Sequence, residues 1–519
     1  MWKTLAIPFL TSSLATALAS PRTGLVPCDA LAENDLGELV LLATDSGYEQ
    51  RLQTYWSVSA RLKPWCIVQP RTTDEVSKVL KTLLDIGSGA GSWHIAVRGG
   101  GHNHWAGSSN IANGVTIDLG LLNRTEYNEA TNIASVGGGS LWNSAYEAAA
   151  EHGASLVGSR AGGVGVGGFL LGGGNSYYTG QRGFGCDNVV NYEVVLPDGR
   201  IVNANATSNE DLYRALKGGG SNFGIVTRFD LEAFPAKDLY GGSRTITTNY
   251  TDEILNAVVS FANHDESEAA DSFTPTFIYN TAISPDVIID ASIFNVEGLR
   301  NSTGFNRITS IPAVSEDLGS RNLVTIAAAS TVDGTSRQAN SHLLIDQFLT
   351  NPKNRSIWTT MTFKANPTVL RRVVERWNVF VTQMQEAMPA DDFQAQMNFQ
   401  HIPKFYGRTI RGGNVLGLDS ALTDNSVLWV NIVNVQTAEQ ESVARLLTNT
   451  LRAELEEFAI SQDSSVRFRY LNYAEPSQDP LGGYGVDNVQ YIRDVVAKYD
   501  PKGLFQTRVP GGFKISRVD

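Results

Sequence analysis

Apolar residues recur at every third or fourth position in several stretches and at every second position, or in short unbroken runs, in others. Val76, Val79, Leu80, Leu83 and Leu84 mark a helix running to about Ile86, opened by Thr72 and Glu75 in capping-box spacing. Short apolar runs around it predict strands at Cys66–Gln69, Trp93–Val97 and Val115–Leu119, a βαβ-like order. Ser140 is placed to cap a helix over Leu141–Glu151. Asn191–Leu196 and Arg200–Asn203 read as a hairpin around Pro197-Asp198-Gly199, followed by a short helix over Glu210–Lys217 and a strand over Ile225–Leu231. From Ala236 to Phe468 the texture changes: strand runs at Ser272–Tyr279, Val287–Phe294, Leu323–Ala329, Ile357–Lys364, Phe393–His401 and Ser426–Val435 are interspersed with two long helices, Thr368–Ala387 and Ala438–Ile460. Val369, Val373, Trp377 and Phe380 on the first, and Leu446, Leu447, Leu451 and Leu455 on the second, read as core faces. This order fits an antiparallel sheet backed by helices. The last fifty residues return to turn-rich chemistry with a helix near Asp487–Lys498.

Two glycine clusters interrupt this periodicity. Arg98-Gly99-Gly100-Gly101-His102 follows a strand, a place where backbone N–H groups converge on an anion and a cation and an imidazole flank them. Gly162–Gly185 holds eleven glycines in 24 residues. Neither helix nor ordinary strand tolerates that density, so this backbone is expected to pack against something flat or anionic.

At 519 residues the chain exceeds one compact core. A net charge of −12 without a basic run argues against nucleic-acid or anionic-membrane partners. Residues 1–19 read as a secretory signal: Lys3, an apolar stretch, then Ala17-Leu18-Ala19 before the cleavage point. A secreted or lumenal protein is the expectation, with N-glycans at the sequons of Asn123, Asn205, Asn249, Asn301 and Asn354. Of three cysteines, Cys28 and Cys66 flank the start of the folded region and are paired, leaving Cys186 as a buried thiol. No zinc motif, Gly-x-Ser-x-Gly elbow, Walker A sequence or nicotinamide-type Gly-x-Gly-x-x-Gly in its proper setting is present.

Seven segments occur together in one order. They are Pro64-x-Cys66-Ile67-Val68-x-Pro70, Val97–His102 with Trp105-Ala106-Gly107, Val164-Gly165-Val166-Gly167-Gly168, Cys186-Asp187-Asn188-Val189, Gly219–Thr227, Tyr470-Leu471-Asn472-Tyr473 and Asp500-Pro501-x-Gly503-x-Phe505. This set resembles the berberine-bridge-enzyme-like branch of the FAD-linked oxidases with the p-cresol methylhydroxylase (vanillyl-alcohol oxidase) fold, and its secreted fungal members most. The resemblance implies an α+β protein: an FAD-binding part over residues 60–235, an inserted substrate part of antiparallel sheet and helices over 236–468, and a C-terminal segment, 469–519, returning to the FAD-binding part. It assigns His102 to the covalent bond with the flavin 8α carbon, with His104 the nearest competitor. Members with a second, cysteinyl link carry it where this chain has Ala161, so a single histidyl link is expected.

Arg98 and the backbone of Gly99, Gly100, Gly101, His102 and Asn103 are expected to hold the pyrophosphate. Gly162, Gly163, Gly167 and Gly168 would form a second backbone wall, and Gly224 and Ile225 would lie near the adenine or ribose. Asn472 with Tyr473 or Tyr470 would face flavin and substrate. Strand alternation places Tyr470 and Asn472 on one face and Tyr473 on the other, so one tyrosine is expected to be the base; Tyr473 is preferred, with Tyr177 and Tyr178 as further pocket candidates. The implied reaction is hydride transfer from a small secondary-metabolite substrate to flavin N5, with O2 as acceptor and H2O2 as product. Carbohydrate oxidation at an anomeric hydroxyl, and a redox-silent binding glycoprotein, are the alternatives.

Overall fold

The computed structural model describes residues 23–86, 93–329 and 354–519. The predicted signal segment, 1–19, lies outside them. Three large sheets organise the described residues. The first has the order β1 (Val40–Leu42), β2 (Cys66–Val68), β4 (Gly114–Asp118), β3 (His94–Arg98), with β2 and β3 parallel to β4. The second is antiparallel, in the order β5 (Thr125–Asn128), β6 (Ile133–Gly137), β10 (Ile225–Glu232), β8 (Val189–Val195), β9 (Ile201–Asn205). A two-stranded ribbon of β7 (Ala154–Ser155) and β11 (Phe234–Pro235) leads out of this part. The third is an eight-stranded antiparallel sheet over 239–466: β12 (Leu239–Thr247), β13 (Asp271–Asn280), β14 (Ser284–Asn295), β15 (Ser315–Arg321), β16 (Arg355–Lys364), β17 (Phe393–Ile402), β18 (Ser426–Val435) and β19 (Ser465–Val466). Its spatial order is β15-β12-β14-β13-β17-β18-β16-β19.

Period-two alternation divides the large sheet into two faces. Phe273, Phe277, Met361, Phe363, Ala395, Met397, Phe399, Val427, Trp429 and Val433 are buried in one core with helices Thr251–Ala262, Pro367–Ala387 and Ala438–Ser461. Thr274, Trp358, Gln396, Asn398, Gln400, Val430 and Ile432, from the same strands, border a cavity on the opposite face. The final residues close the first part: Phe505 and Val509 share a core with Ile95 and Ile117, and the Ile95 amide donates to the Arg508 carbonyl at 2.8 Å.

Several expectations change. Leu323–Ala329 is a helix, not a strand; the Asn322 side chain accepts from the Thr325 amide at 2.8 Å, the alanines favour the helical state, and the turn packs on helix Trp142–Ala150. Ser140 does not cap that latter helix. Its first amides, Trp142 and Asn143, donate to the carbonyls of Val164 and Gly162 at 3.0 Å, so the glycine tract takes the capping role. Leu446 is 67 % exposed, outside the core face assigned to it. Residues 26–59, outside the predicted FAD-binding part, are tied to it: β1 pairs with β2, and Cys28 is bonded to Cys66. Cys186 is buried and free. Among the sequons, Asn123, Asn249 and Asn301 are exposed. The Asn205 amide is engaged with Asn191 and Thr207, and Asn354 is buried.

Candidate active site

A cavity of about 370 Å³ lies between the glycine loops and the polar face of the large sheet. One wall is backbone. Gly99, Gly100, Gly101, His102 and Asn103 border it, as do Gly165, Gly167, Gly168, Gly224 and Ile225. The two loops touch: a Cβ on Gly100 would fall 2.5 Å from the Gly165 Cα. The amides of Gly100 to Asn103 donate to no acceptor among the described residues, and the buried His104 Nε2 and Ser109 Oγ on the same wall have no partner. Such a surface is suited to a phosphate-bearing ligand.

Arg98 stands elsewhere. Alternation along β3 turns Val97 toward the cavity, while the Arg98 guanidinium lies 3.8 Å over the Tyr55 ring and donates to the Arg51 carbonyl (3.0 Å) and Thr54 Oγ1 (2.6 Å). It supports the loop from behind, because a Cβ on Gly101 would meet its Nε at 2.7 Å. Gly162 and Gly163 do not border the cavity either; a Cβ on Gly162 would strike the Ala327 carbonyl at 2.5 Å. Tyr178 packs on Phe234, whereas Tyr177 reaches the cavity.

Both histidines of the first loop border the cavity. His102 stacks on Trp56, with ring centroids 4.9 Å apart, and His104 stacks on Trp358 at 5.5 Å. Burial pushes the His102 imidazole down to about 4 and the His104 imidazole to about 3. Each is therefore neutral near pH 7, with a nitrogen lone pair available.

The Tyr470–Tyr473 segment is not a strand. Leu471–Tyr473 forms a 3₁₀ turn, so alternation fails and Tyr470, Asn472 and Tyr473 all border the cavity. The Tyr470 oxygen accepts from the amides of Gly174 (3.1 Å) and Asn175 (2.8 Å) and from Asn472 Nδ2 (3.1 Å). Its burial pushes the phenol well above the usual range. Asn472 also donates to the Phe169 carbonyl at 3.1 Å, and Gly172 makes room for it, since a Cβ there would lie 2.1 Å from Asn472 Oδ1. The Tyr473 oxygen accepts from Arg160 Nη2 (2.9 Å) and Gln400 Nε2 (3.3 Å). Arg160, Trp56, Trp358, Gln396 and Gln400 were not among the predicted site residues; the polar period-two stripe Gln394, Gln396, Asn398, Gln400 was the available signal for two of them.

The FAD binding domain family matches residues 64–205. Over 493 residues the chain is 33 % identical to the FAD-dependent monooxygenase drtC of Aspergillus calidoustus, covering 95 % of this chain and 90 % of that protein. The FAD-dependent monooxygenase sdcF of Emericella nidulans is 30 % identical, covering 95 % and 98 %. The chain belongs to the berberine-bridge-enzyme-like FAD-linked oxidoreductases. Solved structures agree on the fold. 6-Hydroxy-D-nicotine oxidase from Arthrobacter nicotinovorans superposes with a TM-score of 0.72 at 18 % identity over 90 % of this chain and 96 % of that one. Berberine bridge enzyme from Eschscholzia californica gives 0.69 at 16 % over 93 % and 98 %. This is an FAD-dependent oxidoreductase of the vanillyl-alcohol-oxidase type, and the redox-silent reading falls away. The unpartnered amides, the orphaned His104 Nε2 and Ser109 Oγ, and the side-chain-free contact of Gly100 with Gly165 fit a flavin dinucleotide laid along the backbone wall.

Two outcomes follow from this geometry. Gly100→Ala forces the loops apart, so the purified variant is expected to hold less than half the flavin of the parent, read as the 450 to 280 nm absorbance ratio, and to lose about 2 kcal/mol or more of stability. The second concerns acid. His102, His104, His264 and His401 are all pushed down to about 3–4 by burial, against about 6.5 in an unfolded chain. Between those values the unfolded state binds protons that the folded state refuses, so stability falls as pH drops from 7 to 5, by about 2 kcal/mol for each histidine that stays neutral. Urea midpoints at the two pH values test the sign.

Proposed function

We propose that the enzyme is a secreted oxidase that carries FAD on a single bond from His102 to the flavin 8α carbon and oxidises a small organic substrate, a secondary metabolite. The observation that carries this reading is the convergence on one cavity of a neutral His102 imidazole on the backbone wall and the Tyr470, Asn472 and Tyr473 turn on the other. A neutral imidazole nitrogen has the lone pair such a bond would need; the bond would form with loss of a proton from the 8α methyl group, its electron pair being taken up by the flavin and then by O2. Ala161 offers no thiol for a second link. When bound, FAD supplies the hydride acceptor and passes the electrons on to O2, giving H2O2.

The chain's own residues divide the remaining work. Tyr473 is the base, its oxygen aimed by hydrogen bonds from the Arg160 guanidinium and the Gln400 amide. Tyr470, with three donors on its oxygen, holds the turn in place and orients Asn472. The fungal relatives named as monooxygenases support a role in secondary metabolism and supply the competing reaction, in which an oxygen atom enters the product. The Cys28–Cys66 disulfide supports passage through an oxidising compartment. Glycans are proposed at the exposed Asn123, Asn249 and Asn301.

Acid precipitation tests the bond: the parent pellet is expected to be yellow, and His102→Ala is expected to leave its flavin in the supernatant. A colourless parent pellet overturns the covalent assignment. Turnover under labelled O2 tests the reaction, with one H2O2 per substrate oxidised and no label in the organic product; label in that product assigns the monooxygenase reaction instead.

A further inference from the structure

Arg160 is the only charged side chain among the described residues that border the cavity. It sits in the loop just ahead of the glycine tract and reaches across to the polar face of the large sheet. Its partners are all neutral oxygens: Gln400 Oε1 at 2.9 Å and the Tyr473 hydroxyl at 2.9 Å, both bonded to Nη2, and Thr274 Oγ1 at a long 3.4 Å from Nη1. No carboxylate of a described residue lies within ion-pair distance of it, although Arg228, Arg244 and Arg445 elsewhere in the chain each have one. A guanidinium carries five N–H donors, so its Nε and Nη1 edge has donors left over. A cation drawn out of water without a counter-charge is costly, and neutral acceptors offset only part of that cost. His102 and His104, the other titratable cations on the cavity wall, are neutral there. A second unspent group lies nearby: Gln396 Oε1, buried on the sheet face, has no donor. The substrate side thus presents one unbalanced positive charge and one empty acceptor.

We propose that Arg160 is the anion-binding residue of the substrate site, and that the enzyme's substrates carry an oxygen ionised at neutral pH, a carboxylate or an ionised phenol, together with an O–H or N–H donor that Gln396 receives. This rests on the reading of the cavity as the substrate site of an FAD-dependent oxidoreductase. The charge fixes one end of the substrate against Arg160 and beside the Tyr473 oxygen, so that selection by charge and the placing of the reacting bond are one act. It also divides substrates by class, because a neutral sugar or alcohol of the same size leaves the guanidinium uncompensated.

Titration calorimetry on the flavin-loaded protein tests this without turnover. Benzoate is compared with its neutral counterpart benzamide at pH 7, and 4-nitrophenol is compared at pH 8.5, where it is ionised, and pH 5.5, where it is not. The parent is expected to bind at least one anion tenfold or more tightly than its neutral counterpart; which arm shows the preference tells carboxylate from phenolate. Arg160→Gln is expected to remove that preference while changing the neutral ligand's affinity less than threefold, and Arg160→Lys to retain part of it. A parent that prefers neither anion overturns the proposal. So does an Arg160→Gln variant that weakens charged and neutral ligands alike, or one that keeps the preference and shifts only the flavin's visible spectrum, which would assign the charge to the cofactor. Heat of binding is independent of H2O2 release, so failure of the oxidase reading and failure of this one are separately visible.

Discussion

The contact between Gly100 and Gly165 is the constraint around which the molecule is arranged. Two backbones from different parts of the chain meet where no Cβ could stand. Each is braced from behind. Arg98, packed on Tyr55 and bonded to the 51–54 turn, supports the first loop, while the Val166 amide donates to the Ser140 carbonyl at 2.9 Å and Leu141 bridges Gly165 to hold the second. With one wall reduced to main chain, the cavity offers amides rather than side chains to a ligand there. Apart from His102, His104 and Ser109, the polar side chains of the cavity stand on the opposite wall, where the large sheet and the Tyr470–Tyr473 turn supply them.

The eight-stranded sheet is built for that division of labour. Its apolar positions serve the helices packed on it and its intervening positions serve the cavity, so each of β13, β16, β17 and β18 works on both sides. Trp358 joins the two halves: it stacks on His104, meets Trp56 edge-on at 5.8 Å and packs against Tyr473 at 5.5 Å. This continuous aromatic contact ties the position of Tyr473 to that of the His102 loop without a charge between them.

What the sequence disclosed followed the reach of each signal. Periodicity located the long helices and the strands Ser426–Val435 and Phe393–His401 within a residue or so, because burial on one face repeats locally. Motif order disclosed the cofactor, and cysteine placement the disulfide. Arg98 was misplaced because charge was weighed above alternation: beside an anion-binding loop its chemistry pointed inward, yet the pleat of β3 turns Val97 inward and Arg98 away. Leu323–Ala329 was misread because six apolar residues out of seven satisfy either period. Arg160 and Gln400 are 240 positions apart; their meeting is a fact of tertiary structure that no local pattern records. β12 and β15 were missed for a different reason, since their mixed, Gly-containing sequences, LYGGSRTIT and SEDLGSR, lack clean alternation and are held by neighbours on the sheet.

The cavity also has an order of assembly. Its backbone wall is complete by Ile225, but Tyr470, Asn472 and Tyr473 come after the whole large sheet, and Phe505, Val509 and Phe513 come later still. During synthesis the glycine loops therefore emerge long before anything can enclose a ligand against them. Cofactor capture belongs to the finished polypeptide, and any nascent chain halted before its last turns would present an open, glycine-lined trough.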